Sequence, residues 1–403
     1  GGLVGSEMCI RDRYSTSVRA PLIWLQKKGI SGKSLLKRFL LLDMKGSFTY
    51  YPCLKKTVFI NSNQKKEVRE MKRSTLALGV CFLFLFVTLT LSVTCDRAEA
   101  AKKYEIATVV KITGIPWFNR LEEGVKAAAK EFNVNAYQLG PSEADPAQQV
   151  KIVEDLIAKG VDAICVVPND ATAMEPVFKK AQSKGIVVLT HESPEQKGSD
   201  WDIETIDNVK FGEMHFEKLA QLMGGKGDFA LFVGSLTVPL HNFWADVGLE
   251  YAKKKYPEMN LVTKRIPCGE SAEESYKQTM DLIKAYPNLK GIVGFGSLGP
   301  IGASQVLKKK KLCGKIAVVG TVIPSHAAPY LKQGCMNHGF LWDPKDAGFA
   351  LVAVAKKLLD KEEVKQGTEI KGLGPASVEF DKKLIKFDAI LDITSENADK
   401  LGF

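Results

Sequence analysis

The run Ala163-Ile164-Cys165-Val166-Val167 contains no polar residue. A strand with one wet face alternates apolar and polar side chains, so a run that is apolar throughout is buried on both faces. Further runs of this kind lie at Ile186–Leu189 and Phe229–Val233, and Lys315–Val319 reads as another strand that is apolar after its first residue. After the strand Glu105–Val110, apolar residues recur at steps of three and four, at Phe118, Leu121, Val125, Ala128 and Phe132, which is the spacing of a helix with one buried stripe. Asp145-Pro146 reads as the cap and first turn of the next helix, with Val150, Val153, Leu156 and Ile157 on one face. Strands buried on both faces that alternate with helices form a parallel sheet between helical layers.

The same order restarts after Asn208, with helices predicted at Phe211–Met223, Asn242–Tyr256 and Ala272–Ala285. Segments 161–192 and 290–321 share one plan, a weak internal repeat. The fold class expected is α/β, with two similar doubly wound parallel-sheet lobes joined by a hinge. Residues 101–208 plus about 324–364 are assigned to lobe 1, and residues 209–323 plus about 365–403 to lobe 2. Residues 101–403, about 300 in all, are at the size where one core divides into two.

Met71-Lys72-Arg73, the uncharged stretch Leu76–Val93 and Ala98-Glu99-Ala100 together read as a secretory signal over residues 71–100, cleaved before Ala101 to leave a periplasmic protein. The apolar stretch exceeds the usual ~7–15 residues of a signal, so a retained anchor is the rival reading. Residues 1–70 are read as an artefactual or untranslated leader. Residues 1–100 hold 17 Lys and Arg against 7 Asp and Glu, which leaves 39 of each in the remainder. The basic excess therefore lies outside the expected mature chain, and nucleic acid is not an expected partner. Cys165 reads as a small core residue; Cys268, Cys313 and Cys335 leave a disulfide open, with no metal-ligand spacing.

Ligands of open α/β sheets bind at the carboxyl ends of the strands. Those ends supply Lys111 with Trp117, Phe118 and Asn119; Asp170; His191 and Glu192; the loop carrying His241, Asn242 and Trp244; Ser297; and Trp342 with Asp343. Aromatic faces cover the CH surfaces of sugars, while carboxylates, amides and cations serve their hydroxyls. Trp117 is read as a ligand platform, with a core role as the rival. His191 and His241 are left open between ligand contact and structure. No metal or cofactor is expected.

At Lys111–Asn119 (KITGIPWFN) the sequence resembles the type I periplasmic sugar-binding proteins of ABC transporters, in particular the autoinducer-2 and rhamnose branch. The resemblance continues through Ala163–Asp170, Val188–Ser193, Gly234–Thr237, Tyr286–Leu289, Phe340–Pro344 and Thr394–Phe403. It implies two lobes joined by three crossings, with a sugar or autoinducer-2-like polyol caught between them and handed to an ABC permease; a chemoreceptor partner is compatible. Lys111 matches the lysine after the first strand, Trp117 and Trp342 match aromatic positions flanking the ligand, and Glu192 stands for an aspartate. Leu240-His241 replaces an Asp-Gln pair, and Phe295 and Ser297 replace Pro and Ala. The first lobe thus keeps the branch's recognition set and the second does not. A deoxy- or rhamnose-like monosaccharide is therefore expected to bind better than autoinducer-2.

Rival functions are an exported NAD-type or sugar-modifying α/β enzyme and a sugar-responsive transcriptional repressor. Gly294–Gly299 matches G-x-G-x-x-G, but the next strand lacks the acid that would hold a ribose. A repressor needs a DNA-binding head before Ala101, where an apolar stretch stands instead.

Overall fold

The computed structural model describes residues 103–403; the expected signal and leader lie outside the described residues. The chain opens with β1 (Glu105–Val109), α1 (Pro116–Glu131), β2 (Asn135–Leu139), α2 (Pro146–Lys159), β3 (Ala163–Val166), α3 (Ala171–Ser183), β4 (Val187–Thr190) and β5 (Trp201–Glu204). These five strands are parallel, in the order β5-β4-β3-β1-β2. β3 is buried at every position, as its uninterrupted apolar run requires. Asp145 accepts hydrogen bonds from the backbone N–H groups of Ala147 and Gln148 and starts α2.

A second set follows: α4 (Asn208–Met223), β6 (Lys226–Val233), α5 (Pro239–Lys255), β7 (Glu258–Leu261), β8 (Ile266–Pro267), α6 (Ala272–Ala285), β9 (Leu289–Gly294), α7 (Gly299–Lys310), β10 (Ala317–Thr321), α8 (Pro324–Lys332) and β11 (His338–Leu341). The tail holds α9 (Pro344–Leu359), the small pair β12 (Glu369–Ile370) and β13 (Gly374–Pro375), then β14 (Ser377–Glu379), β15 (Leu384–Lys386) and β16 (Leu391–Ile393). The second sheet runs β16-β11-β10-β9-β6-β7, with β8 also on β6.

The sheets divide the chain differently from the expected lobes. β11 pairs in parallel with β10, His338 opposite Val319, so residues 338–341 belong to the second sheet rather than the first lobe. Conversely, β15 lies beside β5, Leu384 opposite Asp202, so β14 and β15 extend the first sheet although the sequence placed them in the second lobe. Short strands carry no mark of which sheet edge they will complete; the hydrogen-bonding edge that reaches them decides. The chain thus crosses between sheets three times, at residues 205–207, 342–343 and 387–390.

α9 returns to the first lobe and packs on α1. A Cβ at Gly124 would lie 1.9 Å from the Lys345 carbonyl oxygen, and one at Gly348 would lie 2.2 Å from that of Leu121. Both glycines let the two helices touch backbone to backbone. In the second lobe Cys313 and Cys335 form a disulfide, while Cys165 and Cys268 are free and buried. His215 sits inside an aromatic cluster with Phe211, Phe295 and Phe340; burial lowers its pKa to about 3, so it is a neutral core residue.

Candidate binding cleft

Both sheets point their carboxyl ends at one cavity. Lys111 follows β1 and Glu192 follows β4; Trp117 and Phe118 come from the first turn of α1. The second sheet and its helices contribute His241 and Trp244 on α5, Glu270 before α6, Gly296 and Ser297 after β9, Thr321 at the end of β10 and Trp342 after β11. The walls stand close: the centre of a water-sized sphere has about 10 Å³ in which to move, roughly what a single water needs.

Lys111 is only 2 % exposed, and its Nζ donates to Glu192 Oε2 at 2.5 Å. A second carboxylate oxygen, Glu270 Oε1, lies 4.0 Å from the same nitrogen. Glu270 thus places a second carboxyl group in the cavity with Glu192. Burial, with Glu192 adding repulsion against the pull of Lys111, raises the Glu270 pKa to about 7. His241 Nδ1 accepts from the Gly234 N–H at 3.1 Å. Burial, and then the charge on Lys111, hold the imidazole well below its ordinary range, so it is neutral.

The aromatic wall is continuous. Trp342 meets Trp117 edge-on with ring centres 5.0 Å apart and meets Trp244 at 5.8 Å. The Trp244 ring in turn stacks on His241 and is oriented by its Nε1–H, which donates to Asn208 Oδ1 at 2.9 Å. Trp117 therefore combines the two roles that the sequence set against each other: it packs on a neighbour and borders the cavity.

Eight of the expected site residues line this cavity or its rim: Lys111, Trp117, Phe118, Glu192, His241, Trp244, Ser297 and Trp342. Five do not. Asn119 is exposed on α1. Asp170 caps α3, accepting from the Ala173 N–H. Asn242 turns away and donates to the Ser235 and Val238 carbonyls, while its own oxygen accepts from Arg265. Asp343 binds Arg120 and the Lys345 N–H. His191 is buried beside the cavity, its Nδ1 2.6 Å from the Ile203 carbonyl oxygen and its ring edge-on to Trp342. Leu240 is fully buried in the core, and Phe295 packs on Trp244.

Glu270 and Thr321 were missed by sequence reading. Glu270 follows a two-residue strand, too short to mark a strand end. The Gly294–Gly299 loop does not suit a pyrophosphate: a Cβ at Gly296 would stand 3.1 Å from Glu270 Oε2, so the loop faces an acid.

Residues 106–363 match the profile of the periplasmic binding protein domain. The chain belongs to the periplasmic binding protein family. Among its relatives, the D-ribose/D-allose-binding protein of Pseudomonas aeruginosa is 26% identical over 251 residues, covering 59% of this chain and 76% of that protein. Of the solved structures, LsrB from Clostridium saccharobutylicum in complex with AI-2 superposes with a TM-score of 0.69 at 20% identity, over 74% of this chain and 99% of that one. A solute-binding protein of an ABC transporter from Clostridium phytofermentas, with bound L-rhamnose, gives 0.67 at 24% identity, over 74% and 98%. At those identities the likeness is one of fold: the two-lobed α/β architecture of type I periplasmic binding proteins. As a member of this family the chain is a solute-binding protein acting outside the cytoplasm.

Proposed function

We propose that the cleft captures a neutral monosaccharide or related polyol and that the protein delivers it to an ABC permease without altering it. The observation that carries this reading is the composition of the cavity wall. Three tryptophans and a phenylalanine enclose a lysine, two carboxyl groups, a neutral histidine and two hydroxyls. Flat apolar faces beside donors and acceptors match a ring that is CH on one surface and hydroxyl at its rim.

Binding at this site involves an opening step. The closed walls have no room for a six-membered ring, so the sheets separate by rotation about the three crossings and close again on the ligand. Lys111, Glu192 and Trp117 contribute affinity rather than turnover. Leu240 lies in the core and offers no acceptor to the cavity, which favours a deoxy- or rhamnose-like ring over autoinducer-2. Export with cleavage before Ala101 completes the reading.

A thermal-shift panel of L-rhamnose, D-ribose, D-arabinose, xylitol and autoinducer-2 tests it, because a ligand that binds only the folded state raises the melting temperature. X-ray scattering with the best ligand should show compaction relative to the open form. Autoinducer-2 raising the melting temperature while every sugar fails would overturn the monosaccharide preference. Chemical conversion of a bound sugar would overturn the non-catalytic reading.

A further inference from the structure

The Glu270 carboxyl group occupies a place prepared for it by two other strands. A Cβ at Gly234, after β6, would lie 2.5 Å from Glu270 Oε1, and one at Gly296, after β9, would lie 3.1 Å from Oε2. Any residue but glycine at Gly234 would displace the carboxyl. The backbone of Glu270 itself takes φ 52°, directly after Gly269 at φ 61°. A left-handed residue other than Gly, Asn or Asp is uncommon and carries strain. The side chain is 4 % exposed and lines the cavity.

This buried carboxyl group has no hydrogen-bond donor among the described residues. The nearest cation, Lys111, is 4.0 Å away and already donates to Glu192. His241 Nδ1 is 3.6 Å away, but it accepts from Gly234 and so presents a lone pair. Buried polar groups are nearly always partnered. A carboxyl aimed into a cleft, with its space cleared by glycines and no donor of its own, takes its donor from what fills the cleft.

We infer that Glu270 is the hydroxyl-reading acceptor of the second lobe, the counterpart of Glu192 in the first, and that it selects neutral polyols against acidic sugars. The inference rests on the proposed reading of the cleft as a sugar site. Two carboxyl groups beside one lysine and a neutral histidine leave the cleft without positive charge to spare, so a ligand carboxylate finds repulsion where a hydroxyl finds an acceptor.

A pH signature follows. The groups facing Glu270 are Lys111 from the end of β1, Glu192 from the end of β4, His241 from α5 and the Cys268 thiol on its own loop. The imidazole stays neutral and the thiol is raised to about 12, so neither titrates near neutrality. Glu270 does, at about 7. A hydroxyl donates to the ionised form, so affinity rises as pH increases through about 7.

Calorimetry with D-galactose, L-rhamnose and D-galacturonate, between about pH 5 and 9, tests this on wild type, Glu270→Gln and Glu270→Ala. Thermal melts of each variant confirm folding. The wild type should bind a neutral sugar more tightly at high pH and should reject D-galacturonate. Glu270→Ala should weaken neutral-sugar binding about 10–150-fold, the range for hydrogen bonds to charged groups. Glu270→Gln should lose less and show a flat pH profile. Unchanged affinity and pH profile in both variants would overturn the role of Glu270 while leaving the sugar site standing. Preference of the wild type for D-galacturonate would overturn the charge selection. Failure of the wild type to bind any sugar would overturn both readings together.

Discussion

Lys111 Nζ and Glu192 Oε2 lie 2.5 Å apart, and both side chains are almost wholly buried. A buried pair tolerates loss of both charges better than loss of one, because removing a single partner strands the other. Lys111→Met is therefore expected to destabilise the protein by about 3–5 kcal/mol, and Lys111→Met with Glu192→Met to recover much of that. Urea denaturation of the two variants checks it; equal stability would mean that the pair contributes nothing as a pair.

The same relationship governs binding. Glu192→Gln keeps the shape and an acceptor but removes the charge. Sugar affinity is expected to fall roughly 10–150-fold while the fold survives. Calorimetry with the best ligand reads this; wild-type affinity would remove Glu192 from the site.

Two further acids lie deep in the first lobe, where the chain leaves β5 for the second. Asp202 and Glu204 share one face of that strand, and both are buried. Burial raises both, and Asp202 beside it lifts Glu204 well above the usual carboxylate range. For an acid raised in the folded state, the unfolded chain ionises first as pH climbs. Stability is then greatest at acid pH and is lost from the ordinary carboxylate range upward to the folded value. Glu270 adds to this loss up to about 7. Glu204→Gln should raise stability near pH 8, with about 1.4 kcal/mol for each tenfold change in proton affinity removed, and should change little near pH 4. Denaturation at the two pH values checks this; a gain confined to acid pH would reverse the assignment.

The Cys313–Cys335 disulfide closes a loop with a sequence separation of 22. Its removal by Cys313→Ser with Cys335→Ser should cost about 3 kcal/mol. Cys165 and Cys268 have thiols raised to about 12 by burial, so they should resist alkylation until the protein unfolds. Mass spectrometry after iodoacetamide, with and without denaturant, separates the two classes. Rapid labelling of the native protein would contradict the burial.

Export predicts a defined product. Expression from Met71 in a Gram-negative host should yield a periplasmic chain beginning at Ala101. Terminal sequencing decides, and a membrane-bound product retaining Leu76–Val93 would establish the anchor instead.

Apolar runs such as Ala163–Val167, separated by helices of three-and-four spacing, determined by themselves that this chain builds parallel sheets covered by helices, and that Lys111, Glu192, Ser297 and Trp342 stand where such sheets bind ligands. Strand-end position alone did not separate function from capping. Asp170 and Asp343 follow strands as Glu192 does, yet each caps the next helix, because the turn that presents a ligand group also exposes the first N–H groups of a helix. His241 and Asn242 are adjacent, and the turn of α5 sends one into the cleft and the other toward Arg265. Tertiary structure alone placed β11 in the second sheet, β15 in the first, and Glu270 opposite Glu192. Those outcomes depend on which edges and loops meet across distances that local sequence does not encode: a short strand completes whatever edge reaches it, and a carboxyl group becomes part of a site only when glycines on other strands clear its space.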